Sequence, residues 1–235
     1  RYFSDKIIDE FREGKAYGIH AKPVIIGPVS FLLLGKEKEK GFDRLDLVDK
    51  LLPVYYEIFT RLKAEGAEWI QLDEPFLAMD LTDKQKEQYK RVYQQIRERH
   101  PSLKFLLTTY FEGLNDNTDL AVSLPADGLH LDLVREPGQL DEVLEKSPEN
   151  LQVSLGIVDG RNIWKNDFDH SLAIIRRARK EKDDGKLMIA TSSSLLHTPY
   201  DLDLEDDERN LPGEIKNWLA FAKQKLDEVK TLGLL

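Results

Sequence analysis

The sequence has 235 residues and no cysteine, and this absence excludes several kinds of site at once. Without cysteine the chain cannot form a disulfide, carry a thiol nucleophile or contribute a thiolate to a zinc site. Proteins of a reducing compartment do not depend on disulfides, so the composition predicts a cytoplasmic location.

Long apolar runs and basic clusters are also missing. No apolar stretch reaches the roughly 18 residues that would span a membrane, and the opening RYFSDKIIDEFREG lacks the apolar region of a secretory signal. Asp and Glu total 43 against 34 for Lys and Arg, a formal net charge of −9. Nucleic-acid binding relies on clustered cations, so we expect no nucleic-acid partner. Because no long apolar run is present, we also expect no membrane partner.

The chain does contain a regular alternation of short apolar runs and longer amphipathic segments. The apolar runs predict six strands, at 23–27, 69–73, 105–110, 128–134, 153–158 and 187–192. Apolar residues three and four apart predict helices, at 43–66, 83–99, 140–146, 171–181 and 215–232. This alternation favours a parallel sheet built from βα units.

The pattern inside the strands favours a barrel. In GLHLDLV the residues Leu129, Leu131 and Leu133 share one face of the strand, and the opposite face is mixed. Strands of a doubly wound sheet are apolar on both faces, and no G-x-G-x-x-G follows any strand. The predicted fold class is therefore α/β, a (β/α)8 TIM barrel.

Polar residues at the carboxyl ends of the strands are candidates for chemistry, because barrel enzymes work at that end. Asp73 and Glu74, in WIQLDEPFL, are candidates for a general acid or base; alternatively, Asp73 is hydrogen-bonded into the polar top of the barrel. His130 and Asp132 share one strand face, which favours a hydrogen-bonded pair over part of a metal site.

A second group of strand-end residues suggests an anion site. Arg161 lies in DGRN, and Ser192, Ser193, Ser194 and His197 lie in TSSSLLH. These loops follow late strands, where barrels often bind phosphate. The alternative is that Arg161 is an ion-pair residue that closes its loop.

Six strings occur in a fixed order along the chain: KPVIIGPVSFLLLGK, EWIQLDEPFL, LLTTYFEG, GLHLDLV, GIVDGRNIW and ATSSSLLHTPYDL. Together they closely resemble the amino-terminal domain of the cobalamin-independent methionine synthase family. The resemblance implies a two-barrel enzyme that transfers a methyl group from 5-methyltetrahydrofolate polyglutamate to homocysteine. It also implies a zinc ion held by His, Cys, Glu and Cys in the carboxy-terminal barrel.

For this chain the resemblance implies a single partial barrel over residues 1–235, truncated at its N-terminus, with about six βα units (strands 3 to 8). None of the zinc ligands falls here, so we expect no metal, no catalytic residue and no activity in the fragment alone. The expected partners are the carboxy-terminal barrel of the same protein and a folate polyglutamate tail. Open barrel edges predict self-association. Two other functions stay open: a free-standing TIM-barrel hydrolase using Asp73, Glu74 and Asp132, and a purely structural scaffold domain.

Overall fold

All six predicted strands are present in the computed structural model, which describes residues 2–206, 209 and 211–235. The strands are β1 (Val24–Ile26), β2 (Trp69–Asp73), β3 (Lys104–Thr108), β4 (Gly128–Asp132), β5 (Gln152–Val158) and β6 (Leu187–Thr191). The α-helices in the described part are α1 (Lys6–Ala16), α2 (Pro28–Leu34), α3 (Val48–Ala64), α4 (Asp83–Arg99), α5 (Thr118–Ser123), α6 (Gln139–Lys146), α7 (Phe168–Ala178), α8 (Gly213–Lys216) and α9 (Ala222–Leu234). None of these helices is long and apolar enough to cross a membrane.

The chain divides into two compact units. The first contains residues 1–109 and 114–129, and the second contains residues 110–113 and 130–235. The strand order is β1-β2-β3 in the first unit, and the second unit contains residues 130–132 of β4 followed by β5 and β6, so neighbours in the sheet are neighbours in the chain. The pairs β1/β2, β2/β3 and β5/β6 are parallel. This is the arrangement predicted for successive βα units, whereas a single partial barrel over the whole chain stays a prediction.

The register of the first unit brings three strand ends to one edge. Asp73 is the Cα partner of Ile26 on β1 and of Thr108 on β3. Along β2, Ile70 and Leu72 are buried, while the intervening residues are half-buried. The predicted alternation of faces is therefore confirmed in β2, and the acid pair that follows lies at the carboxyl edge of the sheet.

Local sequence signals agree with some helix boundaries. Thr82 and Gln85 form a capping box at the start of α4, which was predicted over 83–99. The side chain of Asp43 accepts a hydrogen bond from the Leu45 amide and begins a short 3-10 turn, after which α3 starts at Val48. Pro53 lies inside α3, five residues after its first residue, so the start of the helix is not set by the proline.

Helices α2, α5 and the predicted last helix differ from the prediction. The helix expected over 215–232 is interrupted: α8 ends at Lys216, α9 begins at Ala222, and Leu219 between them forms an antiparallel bridge with Trp164. Because the chain leaves the helical conformation between α8 and α9, Leu219 and its neighbours become buried. The free energy gained by this burial outweighs the helical preference that the apolar stripe indicates. The helix α2 was not predicted, although Pro28 stands at its first turn, a position that suits proline.

Phe59 gives a direct test of the core of the first unit. Its ring is 0% exposed and makes edge-on contacts with Tyr55 and Phe105, at centroid distances of 5.9 and 5.2 Å. We expect Phe59→Ala to lower the free energy of unfolding by roughly 3–5 kcal/mol in chemical denaturation, because it leaves a cavity. The control Phe3→Ala removes a ring that is 98% exposed. It should change stability by less than about 0.5 kcal/mol, and equal losses in both variants would contradict the assignment.

Candidate functional site

The two acids that end β2 have different environments. Asp73 is half-buried, and its Oδ1 accepts a hydrogen bond of 2.8 Å from Nε2 of Gln71. Glu74 is completely buried, and its amide continues the ladder by donating to the carbonyl of Thr108 at 2.8 Å. The two carboxyl groups therefore lie in different surroundings, because the side chains of neighbouring residues in an extended segment point to opposite faces.

Both carboxylate oxygens of Glu74 accept hydrogen bonds from other elements. At the start of α2, the amide of Ser30 donates to Oε2 at 2.7 Å and the amide of Val29 donates to Oε1 at 3.3 Å. From α4, the hydroxyl of Tyr89 donates to Oε2 and that of Tyr93 to Oε1, each at 3.0 Å. Four donors thus surround the buried carboxyl group, which is the condition under which such a polar group is tolerated.

The backbone around Glu74 is shaped to admit this carboxylate. A Cβ atom at Gly27 would lie 2.1 Å from the carboxyl carbon of Glu74, so glycine is required before α2. Burial raises the pKa of Glu74, and the hydrogen bonds from Ser30, Tyr93 and Tyr89 act in the opposite direction. Because its oxygens are engaged by donors on two helices, the surroundings of Glu74 favour a structural role over proton transfer to a substrate.

In the second unit, His130 lies at the interface of three strands. Its Nδ1 is 2.9 Å from Oγ of Ser154, and its Nε2 is 3.3 Å from the carbonyl oxygen of Ser192. A Cβ at Gly156 would lie 2.8 Å from Cε1 of the imidazole, so the ring occupies the space that glycine leaves. These contacts describe a histidine packed and hydrogen-bonded within the strands.

Asp132 organises a loop of the second unit. Its Oδ2 accepts from the amide of Phe111 at 2.9 Å, and its Oδ1 accepts from the amides of Val134 and Arg135 at 3.1 and 3.0 Å. Burial raises the pKa of Asp132, while the three backbone hydrogen bonds lower it. The contact with Phe111 holds that residue in the left-handed region, at φ 77°, which is costly for a residue with a side chain.

The ring held in this way is the centre of a group that we call the Phe111 cluster: Tyr110, Phe111, Arg161 and His197. The guanidinium carbon of Arg161 lies 4.5 Å from the ring centroid of Phe111, and the His197 and Tyr110 rings approach at 5.4 and 4.7 Å. Arg161 is exposed and forms no ion pair with a carboxylate in the part of the chain that the structure describes. Stacking on a ring leaves the edges of the guanidinium available to an anion.

The serine loop packs against the DGRN loop that carries Arg161. Oγ of Ser192 accepts from the amide of Gly160 at 3.2 Å, and a Cβ at Gly160 would lie 2.6 Å from the carbonyl oxygen of Ser193. Oγ of Ser193 is buried without a hydrogen-bond partner among the described residues. Ser194 is exposed, and its Oγ accepts from the amide of Leu196 at 3.3 Å. The structure therefore places the serine loop against the DGRN loop, and it places Arg161 and His197 beside one ring, whereas the anion site itself stays a prediction.

Several residues of these surroundings were not singled out in the sequence. The helical spacing of Tyr89 and Tyr93 indicates that they share one buried face, and two hydroxyls one turn apart on such a face signal a polar partner. Phe111 carries no signal, because its position depends on the Asp132 contact.

The donor set does not fit a zinc ion. The chain has no cysteine, and within residues 2–206, 209 and 211–235 there is no group of three or more His, Asp or Glu that could hold a metal. His130 and Asp132, the two candidates on one strand face, are occupied by the contacts described above.

Comparison with known proteins places this geometry in a family context. A family model described as "Cobalamin-independent synthase, N-terminal domain" matches residues 1–183. The chain is 55% identical over 232 residues to a 5-methyltetrahydropteroyltriglutamate–homocysteine methyltransferase of Flavobacterium johnsoniae, covering 98% of this chain and 30% of that protein. It is 53% identical to the protein of the same name from Cytophaga hutchinsonii, covering 97% and 30%. The chain therefore spans about 30% of the length of these curated relatives.

Solved structures give a likeness of fold. A vitamin-B12 independent methionine synthase from Listeria monocytogenes matches with a TM-score of 0.67 at 15% identity, covering 98% of this chain and 68% of that one. A B12-independent methionine synthase from Shewanella sp. W3-18-1, in complex with selenomethionine, matches with a TM-score of 0.62 at 15% identity, covering 100% and 70%. The likeness confirms the predicted fold class, α/β with six βα strands of a (β/α)8 barrel.

The buried carboxylate of Glu74 predicts a pH dependence of stability. Its pKa is higher in the folded chain than in the unfolded chain, so its contribution is fully present below the unfolded pKa and is lost as pH rises through the folded pKa. We expect Glu74→Gln to remove this component in urea denaturation at several pH values. The exposed Glu68→Gln should keep the wild-type pH profile, and a wild-type profile in Glu74→Gln would contradict the assignment.

Proposed function

The chain belongs to the cobalamin-independent methionine synthase family through its N-terminal domain, and we propose that it is a non-catalytic, substrate-assisting part of a methyltransferase. The name of its curated relatives supports this reaction: methyl transfer from 5-methyltetrahydropteroyltriglutamate to homocysteine. Their greater length supports a further region in the same polypeptide, and the chemical step is assigned to that region.

Zinc, which the family resemblance implies, is assigned to the same further region. A thiolate is a far better nucleophile than a thiol, and thiolate ligands are common in zinc sites. This chain has no cysteine, and no cluster among its described residues fits a zinc ion. We therefore assign it a contribution to substrate binding.

The contribution that the geometry supports best is binding of the triglutamate tail by the Phe111 cluster. Each glutamate of the tail carries a carboxylate, and a planar guanidinium binds a carboxylate through two parallel hydrogen bonds. Arg161 offers such a group, stacked at 4.5 Å on the ring of Phe111, with His197 beside the same ring. A chain with a net charge of −9 repels anions in general, so an attractive site must be local. The observation that carries the proposal is the stacked, exposed Arg161.

Calorimetric titration of the 235-residue chain with γ-linked triglutamate tests this role. We expect binding to weaken at least about tenfold in Arg161→Ala, because a charged hydrogen-bond donor is lost. The exposed Arg176→Ala removes the same charge from α7 and should leave the affinity unchanged. Equal weakening in both variants would indicate general electrostatics, and absence of binding in the wild type would favour the scaffold function.

The absence of the chemical step from this chain is tested by an activity assay. Incubation with homocysteine and 5-methyltetrahydropteroyltriglutamate should yield no methionine, because no cluster of side chains among the described residues fits the zinc ion that would activate the thiol. The longer Flavobacterium johnsoniae relative serves as the positive control. Zinc-dependent turnover by the isolated chain would overturn the proposal.

Two further expectations stay predictions. Strand β1 ends the strand order of the first unit, and Val24 on it is 51% exposed, which supports self-association through this edge. The cytoplasmic location expected from the absence of cysteine belongs to the same proposal.

A further inference from the structure

Helix α9 buries two side chains of opposite charge against one short segment of the second unit. Lys225 is 0% exposed and Glu228 is 8% exposed, and they lie one turn apart on the same helix. Lysine and glutamate side chains are seldom buried unless they are paired or hydrogen-bonded. These two residues form hydrogen bonds with the segment that follows the DGRN loop.

Lys225 binds this segment through neutral acceptors. Its Nζ donates to Oδ1 of Asn162 at 3.1 Å and to the carbonyl oxygen of Trp164 at 2.9 Å. Burial lowers the pKa of Lys225, while the nearby carboxylates of Glu228 and Asp159 raise it. The ammonium is therefore desolvated, and its hydrogen bonds to the segment are strengthened by the dry surroundings.

From Asn162 the contacts lead directly to the backbone of Arg161. Nδ2 of Asn162 donates to Oδ2 of Asp159 at 2.8 Å, and Oδ1 of Asp159 accepts from the amide of Arg161 at 2.7 Å. A relay of three side chains, Lys225, Asn162 and Asp159, thus ends at the residue that stacks on Phe111.

Glu228 fixes the other end of the same segment. Its Oε1 accepts from the amide of Asn166 at 2.9 Å. Lys225 therefore binds a carbonyl and Glu228 binds an amide two residues further on, as each charge requires. A cavity of about 250 Å³ lies beside the segment, lined in part by Asp159, Asn162 and Lys225.

We propose that Lys225 and Glu228 are positioning residues that hold the DGRN loop so that Arg161 stacks on Phe111 in the conformation that binds a carboxylate. The inference rests on the proposed binding of a polyglutamate tail by Arg161. It assigns to the C-terminal helix α9 a part in the anion site, although α9 itself contributes no group to the Phe111 cluster.

The test uses Lys225→Met, which removes the ammonium and keeps an unbranched side chain. Segment-resolved hydrogen exchange of the 235-residue chain should be about tenfold faster over 159–166 and unchanged in β5, because the loss is local. The exposed Lys230→Met on the same helix is the control and should exchange like the wild type. Equal acceleration in all segments, or no acceleration over 159–166, would overturn the proposal.

Titration with γ-linked triglutamate adds a readout that general destabilisation does not produce. We expect Lys225→Met to weaken binding about tenfold in the wild-type background and by less than about twofold in an Arg161→Lys background, since both changes act through one guanidinium. Equal effects in both backgrounds would show that Lys225 acts independently of Arg161.

Failure of the proposed function is distinguishable from failure of this inference. If the wild type binds no triglutamate, the binding proposal fails, and hydrogen exchange over 159–166 still decides whether α9 positions the loop. If Lys225→Met does not fold, Asn162→Ala breaks the same relay from a half-buried loop position. Wild-type exchange over 159–166 in that variant would then overturn the positioning role.

Discussion

The buried carboxylate of Glu74 is the contact on which the strand ends of the first unit depend. It joins the end of β2 to the start of α2 through Ser30 and to α4 through Tyr89 and Tyr93. Gly27 leaves the space that the carboxylate fills. A carboxyl group is costly to bury, so this arrangement persists because four donors compensate the loss of water. Three elements are thereby fixed relative to one side chain.

The second unit uses the same device with other residues. Asp132 holds a loop through three backbone amides, and Lys225 and Glu228 hold another through a carbonyl and an amide. In each case a buried polar side chain forms hydrogen bonds with backbone groups of the same unit. Glu74 and Asp132, two of the candidate catalytic acids, therefore form hydrogen bonds that hold the protein's own loops and helices. Arg161, in contrast, presents its charge at the surface. This contrast is why binding, rather than proton transfer, is the function that the geometry supports best.

The parts of this structure that the sequence predicts are those decided by local patterns. Six short apolar runs sufficed for six strands, and the Thr82 and Gln85 box marked the start of α4, because both signals act within a few residues. The helix over 215–232 was wrong in its first part because the burial of Leu219 against another segment decides its conformation. The partners of Glu74 and the left-handed Phe111 were beyond prediction for the same reason, since residues distant in sequence supply both.

The place of Arg161 also fits the energetics of a substrate-assisting site. Methyl transfer to a thiolate changes charge at sulfur and at the methyl donor, whereas the carboxylates of a polyglutamate tail keep their charge throughout. A guanidinium bound to the tail therefore stabilises the bound substrate and the transition state equally, and such uniform binding acts on KM rather than on kcat. A contact of that kind requires a rigid, correctly placed cation and no catalytic group. Arg161, which stacks on Phe111 in a loop held by buried side chains, is placed to offer such a cation.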